Sequence, residues 1–217
     1  MQEKLYPLDQ AIRDHVPSGS SIVLGACMES NIPFAATYEI IRQGIGGLDV
    51  IAPISDASTD MLIGAGCVDR VTGAWVGNVS GGLGHNYRRA FENRPQPSVK
   101  LRDYSNFSLG LALMAGAYGM PYVPVRSILG SDMIKSNDQF IPAENPFGDQ
   151  KEPVVLVPPL IPDVAVLAVP RADNQGNSHF WGSRGVAEEA AFAAETAPVL
   201  LLAGRKDAVA PPALSKA

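Results

Sequence analysis

The chain has 217 residues, 46% apolar and 18% charged, which is enough apolar material for a folded core and excludes a disordered tail. Its 22 acids against 17 bases give a net charge of −5, which excludes the basic excess of a generic nucleic-acid surface. Two cysteines, Cys27 and Cys67, are too few for a disulfide framework or an all-cysteine zinc site; the first residues lack an apolar signal core, so a reducing, cytoplasmic setting is expected.

The predicted elements alternate. Ser21-Ile22-Val23-Leu24 reads as a strand closed by Gly25. Ser30, Asn31 and Pro33 supply the start of a helix whose apolar residues, Phe34, Tyr38 and Ile41, recur at i, i+4 and i+7 before a stop at Gly44. Strands follow at Leu48 to Ile54 and Val68 to Trp75, with a short helix from Ala57 to Gly66 between them. Asn86 to Glu92 reads as helix, Ser98 to Tyr104 as strand, Phe107 to Tyr118 as helix and Pro121 to Val125 as strand. The charge-free stretch from Phe107 to Val125 has a membrane span's length, but Gly119-Met120-Pro121 divides it into helix and strand. Lys135 to Pro153 loses periodicity and reads as a long loop. Strands at Val154 to Val157 and Val164 to Val169, a helix at Ala187 to Ala194 and a strand at Val199 to Leu202 complete the set.

Continuous apolar strands joined by helices predict an α/β fold, an open, mostly parallel sheet with helices on both faces, in one domain over residues 1–217. Ligands gather at the carboxyl ends of such strands, which directs attention to the loops after Leu24, Ile54, Trp75, Tyr104 and Val125.

Several motifs are absent: no dinucleotide or P-loop glycine pattern, no nucleophile elbow, and no metal spacing among His15, His85 and His179. Four loops stand out, each with a plain reading beside a functional one. Gly25 to Ser30, including Glu29, is either a strand–helix turn or an anion-binding helix start. Gly77 to Asn86, including Asn78, Ser80, Gly81 and Gly82, is either a surface turn or a place where a ligand approaches the backbone closely. Asn106 is either a helix cap or an amide donor for an oxyanion. Arg171 to Asn177 reads as a structured turn.

Taken in order, these segments resemble the A subunits of family I CoA-transferases, most closely the glutaconate CoA-transferase group. The likeness rests on Ile32-Pro33-Phe34-Ala35-Ala36, Glu39 to Gly44, Pro53 to Asp56, Gly64 to Val68, Ala74 to Val79, Asn86 to Ala90, Ala115-Gly116, Gly119-Met120-Pro121, Arg126 to Asp132, Arg171-Ala172-Asp173 and Gly176-Asn177. It spans about residues 5 to 203. Two features depart from the family: Gly25-Ala26-Cys27 replaces a Gly-Gly-Phe turn associated with CoA binding, and the family's A subunits generally run further, as if this chain were truncated.

The resemblance implies transfer of CoA from an acyl-CoA thioester to a carboxylic acid. The thioester is attacked by a glutamate of a B subunit, in a heterodimer or heterotetramer. No permanently bound cofactor, metal, nucleic acid or membrane is implied; the CoA thioester is a substrate. Asn106 would stabilise the oxyanion. Gly25, Glu29, Ser30, Asn78, Ser80, Gly81 and Gly82 would line the substrate site, with Arg126 or Arg89 as carboxylate partner. Asparagine cannot act as a general base, which favours transfer over hydrolysis. The alternatives are an acyl-CoA hydrolase of the same fold and a non-catalytic ligand-binding subunit.

Overall fold

The computed structural model describes residues 4–25, 31–78, 81–92, 98–147, 151–195, 199–202 and 209–210. In chain order the elements begin with α1 (Leu8–His15), β1 (Ser21–Leu24), α2 (Phe34–Gln43), β2 (Leu48–Ser55), α3 (Ala57–Gly64), β3 (Val68–Asn78) and β4 (Gly82–Leu83). They continue with α4 (His85–Phe91), β5 (Lys100–Asp103), α5 (Asn106–Tyr118), β6 (Val123–Val125), α6 (Met133–Ser136), β7 (Ile141–Glu144) and β8 (Pro153–Val157). The last are β9 (Val164–Val169), β10 (Arg171–Ala172), β11 (Ser178–His179), α7 (Ala187–Ala193), β12 (Val199–Leu202) and β13 (Val209–Ala210).

The main sheet has the order β13-β12-β9-β1-β2-β3, and β3 also pairs with β5 and, through a hairpin, with β4. Every pair from β12 across to β5 is parallel; only β13 and β4 run antiparallel to their neighbours. The continuous apolar runs are explained by burial on both faces. In β2, Val50 enters one core with Ile12, Ile40 and Leu62 of α1, α2 and α3, while Ile51 enters the other with Leu109 and Leu113 of α5 and Ala190 of α7. Truncating a fully buried residue such as Leu113 to alanine costs about 2–5 kcal/mol.

Local chemistry sets the helix limits. Ser105 Oγ accepts from Ser108 N while Ser108 Oγ accepts from Ser105 N, both at 3.0 Å, and this reciprocal pair starts α5. Gly119 ends it in the left-handed region, φ +67°, which a side chain disfavours. This stop divides the charge-free stretch, and no helix among the described residues is long and apolar enough to cross a membrane.

Two expectations need correction. Lys135 to Pro153 is not a plain loop: it holds the end of α6 and all of β7, whose Ile141 to Glu144 pair antiparallel with Leu156 to Pro153 of β8. Prolines at 142 and 146 masked the strand, yet Pro142 stands on an edge strand, where a missing N–H is tolerated. The strand ending at Val125 belongs to this second sheet, order β6-β8-β7, so the loop after Val125 is not on the main sheet's carboxyl edge. The helix α1 and the short strands β4, β10, β11 and β13 add to the elements expected from sequence.

Candidate active site

The carboxyl ends of the parallel strands form an uneven edge. Leu24 of β1 lies beside Val166, and β9 runs three residues further, to Val169. On the other side Val23 lies beside Ile51, and β2 also runs three residues past Leu24's level, to Ser55. β1 thus ends about 10 Å short of both neighbours, at 3.3 Å per residue. The chain order reverses here, β2, β3 and β5 lying to one side of β1 and β9 and β12 to the other, the arrangement that opens a ligand crevice.

Gly25 directly follows β1. Its N–H donates to Val166 O at 3.1 Å, its φ is +85°, and a Cβ would stand 3.1 Å from Pro33 Cδ and 3.6 Å from Asn31 O. The residue before α2 folds back over the strand end, and only glycine fits beneath it without strain. Glu29 and Ser30 lie outside the described residues, as do Cys27 and Ser80.

A second recess lies at β5. Asp103 pairs with Gly73, five residues before β3 ends at Asn78, and Tyr104 N then donates to Gly73 O at 3.1 Å. The backbone there is held from outside: Asn137 Nδ2 donates to Asp103 O at 2.9 Å, and the Tyr104 ring meets Phe140 edge-on at 5.0 Å. Burial pushes the Tyr104 hydroxyl up to about 12. Asn106 follows as the first residue of α5. Ser105 is the cap, so the plain reading of Asn106 as the cap does not hold. The Asn106 side chain is exposed and makes no hydrogen bond to a described residue.

At the end of β3, Asn78 Nδ2 donates to Leu83 O at 3.2 Å across the β3–β4 hairpin, and Gly81 N donates to Asn78 O at 2.9 Å. Gly81 and Gly82 form the turn, and both are exposed. This brings Gly25, Asn78, Gly81, Gly82 and Asn106 to the carboxyl ends of β1, β3 and β5. Arg126 is placed elsewhere: it follows β6 in the second sheet, where its guanidinium donates to Glu152 Oε2 at 3.1 Å on exposed surface. Arg89 donates to Asn86 Oδ1, and Asn86 Nδ2 in turn donates to Asp60, so the arginine is part of the α3–α4 junction. Arg171 stacks over Trp181 at 5.6 Å, and the Asp173 carboxylate accepts from Gln175 N and Asn177 N, the structured turn expected there. Those bonds, led by the one from Asn177 Nδ2, hold the Asp173 carboxyl below its usual value.

Among the described residues, three buried side-chain atoms have no hydrogen-bond partner: Asn31 Nδ2, Asp56 Oδ2 and Asn78 Oδ1. Asn31 and Asp56 follow β1 and β2, and Asn78 is the last residue of β3. Each unsatisfied buried group costs on the order of 1–3 kcal/mol, so each of these atoms is a point where a further group can bond. Sequence reasoning selected Asn78 but passed over Asn31 and Asp56 as site residues. The available signal for Asp56 was its place: a polar residue just past an apolar strand and just before a helix.

A family model described as coenzyme A transferase matches residues 7–202. The chain is 35% identical over 192 residues to the A subunit of 3-oxoadipate CoA-transferase from Pseudomonas knackmussii, covering 88% of this chain and 67% of that one. It is 31% identical over 198 residues to the A subunit of glutaconate CoA-transferase from Acidaminococcus fermentans, covering 83% and 60%. The crystal structure of glutaconate coenzyme A-transferase from that organism matches with a TM-score of 0.83 and 29% identity over 90% of this chain and 65% of that one. The chain belongs to the coenzyme A transferase family. Within it the similarity is to A subunits, and the chain spans about two thirds of their length.

Proposed function

We propose that this chain acts as the A subunit of a heteromeric, cytoplasmic CoA-transferase, moving CoA between an acyl-CoA thioester and a carboxylic acid. The observation that carries the reading is the similarity to two CoA-transferase A subunits over more than four fifths of the chain. The site geometry supports a division of labour. The thioester carbonyl is attacked by a glutamate of the B subunit, the carbonyl oxygen takes up negative charge, and thiolate departs to leave an acyl-glutamyl anhydride. Thiolate returns to the glutamyl carbonyl, the carboxylic acid leaves, and an acceptor acid repeats the steps in reverse.

This chain's part is to bind and to stabilise. Asn106 Nδ2 donates to the oxyanion; its free, exposed amide on the first turn of α5 suits that role because no other described group competes for it. Gly81 and Gly82 let the substrate approach the backbone, Gly25 binds at the end of β1, and Asn78 offers its unpartnered oxygen to a ligand donor. Glu29, Ser30 and Ser80, which lie outside the described residues, are assigned to substrate binding on the family likeness alone. The described glutamates stand on α2, α7 and β7, just before β8, at the end of α4 and after α7; Glu39, for example, is tied to Arg42, whose hydrogen bond holds its carboxyl below the usual value. Arg126, paired with Glu152, is not assigned a substrate role.

The test is acceptor dependence. The chain, its co-purified partner and the two together are each incubated with an acyl-CoA, with and without acetate. Acetyl-CoA formed only by the combined chains, and only with acetate, supports the proposal. CoA released without acetate by the pair, or full exchange by this chain alone, contradicts it.

A further inference from the structure

Asp56 is buried, 8% exposed, at the carboxyl end of β2, and CoA transfer through Asn106 and a partner's glutamate gives it nothing to do. Its Oδ1 accepts from Ala57 N at 2.5 Å and begins α3. Its Oδ2 is buried and accepts from no described group. Capping explains the first oxygen only, since serine or asparagine would cap as well. A carboxylate left half satisfied inside a protein is costly, so the second oxygen is matched to a donor that arrives from outside the chain.

The chemistry of the reactants narrows that donor. No described lysine or arginine forms an ion pair with Asp56. The acceptor acid, the attacking glutamate and the phosphates of CoA are anions and would be repelled by it. The thioester carbonyl offers only an acceptor. The neutral donors nearest the sulfur of a CoA thioester are the two secondary amide N–H groups of its pantetheine arm. We propose that Asp56 Oδ2 accepts a hydrogen bond from a pantetheine amide N–H and so holds the arm at the carboxyl end of β2. The proposal rests on the CoA-thioester reading above and adds a named subsite to it. Asn31 Nδ2, after β1, and Asn78 Oδ1, at the end of β3, supply one donor and one further acceptor beside the strands that flank β2. Those are the two senses that the arm's amides require.

Asp56→Asn tests this with little structural change, because it keeps the capping oxygen and replaces only the unpartnered acceptor by a donor. The assembled two-chain enzyme is assayed with an acyl-CoA and with two analogues, each having one pantetheine amide N–H replaced by an ester oxygen. The wild type is expected to favour the natural thioester over one analogue by roughly 10- to 100-fold in kcat/KM, the range for a hydrogen bond to a charged group. Asp56→Asn is expected to lose that preference, with a comparable loss on the natural thioester and less than about 3-fold on the matching analogue. Equal losses on all three substrates, or no loss, overturn the proposal. Calorimetric binding of CoA and its ester analogues to the same complexes reads the preference without turnover. Absence of transfer therefore defeats the transferase reading, whereas an unchanged binding preference in Asp56→Asn defeats this one. Asp56→Ser, which retains only the cap, serves as the second variant and is expected to match Asp56→Asn.

Discussion

The two ends of β2 treat an aspartate in opposite ways. Near the amino end, Asp49 accepts from Thr72 Oγ1 at 2.9 Å and Arg70 at 3.2 Å, with the Arg102 guanidinium 3.7 Å away. Its charge is matched within the chain, and it ties β2 to β3 and β5. At the carboxyl end, Asp56 has one oxygen used and one unused, and the neighbouring strands are followed by Asn31 and end in Asn78, each with an unused atom of its own. One sheet thus closes its polar groups on themselves at one end and leaves them open at the other. The complete network ties strands together, and the unused atoms are where the proposed substrate contacts fall.

Substitutions can break this contrast. The largest effect is expected at the open end: Asn106→Ala should lower kcat by roughly 100-fold or more, the range for a lost oxyanion donor. Its melting temperature should be unchanged, because the Ser105–Ser108 cap remains. Steady-state rates beside a thermal melt check both halves. At the closed end the pattern reverses. Asp49→Ala leaves buried Thr72 and two arginines without their acceptor and should cost about 2–3 kcal/mol, roughly 5–10 °C in melting temperature, with kcat per folded molecule unaltered. A melt that does not move would show that Asp49 does not tie the strands together.

Tyr104 sits between the two kinds of group. It is buried, and its proton stays on up to about pH 12 in the folded chain, whereas the unfolded chain releases it near pH 10. The folded state holds more protons across that window, so stability should fall by about 2 kcal/mol as pH rises from 10 to 12. Denaturant melts of Tyr104→Phe should show a flatter decline; an identical slope would place the loss elsewhere. The smallest effect is expected at the cap itself. Ser105→Ala should cost about 1 kcal/mol by urea unfolding and, by loosening the first turn that carries Asn106, lower kcat slightly more than KM changes.

Much of the main sheet is legible from residues alone because its strands are buried on both faces. Ile22 to Leu24, Val50 to Ile54 and Val164 to Val169 read as unbroken apolar runs for that reason. The second sheet is not legible in the same way. β7 has Ile141 exposed and Pro142 within it, so neither alternation nor apolarity signals a strand, and only pairing with β8 defines it. The site divides similarly. Asn106, Asn78 and the glycines could be selected because loops after strands are where α/β sheets bind ligands. Arg126 could not be placed from sequence, since its position depends on the unforeseen second sheet and on Glu152, distant in the chain. Asp56 appears in the sequence only as the end of the Pro53 to Asp56 likeness, and only the packed structure shows that one of its oxygens is buried and accepts from no described group.

In the proposed enzyme this chain supplies donors and walls while another chain supplies the attacking acid. Mass spectrometry of the assembled enzyme, incubated with an acyl-CoA and quenched with hydroxylamine, locates that acid. A hydroxamate is expected on a glutamate of the partner chain and none on this one. A hydroxamate on this chain, at Glu29 above all, would contradict it.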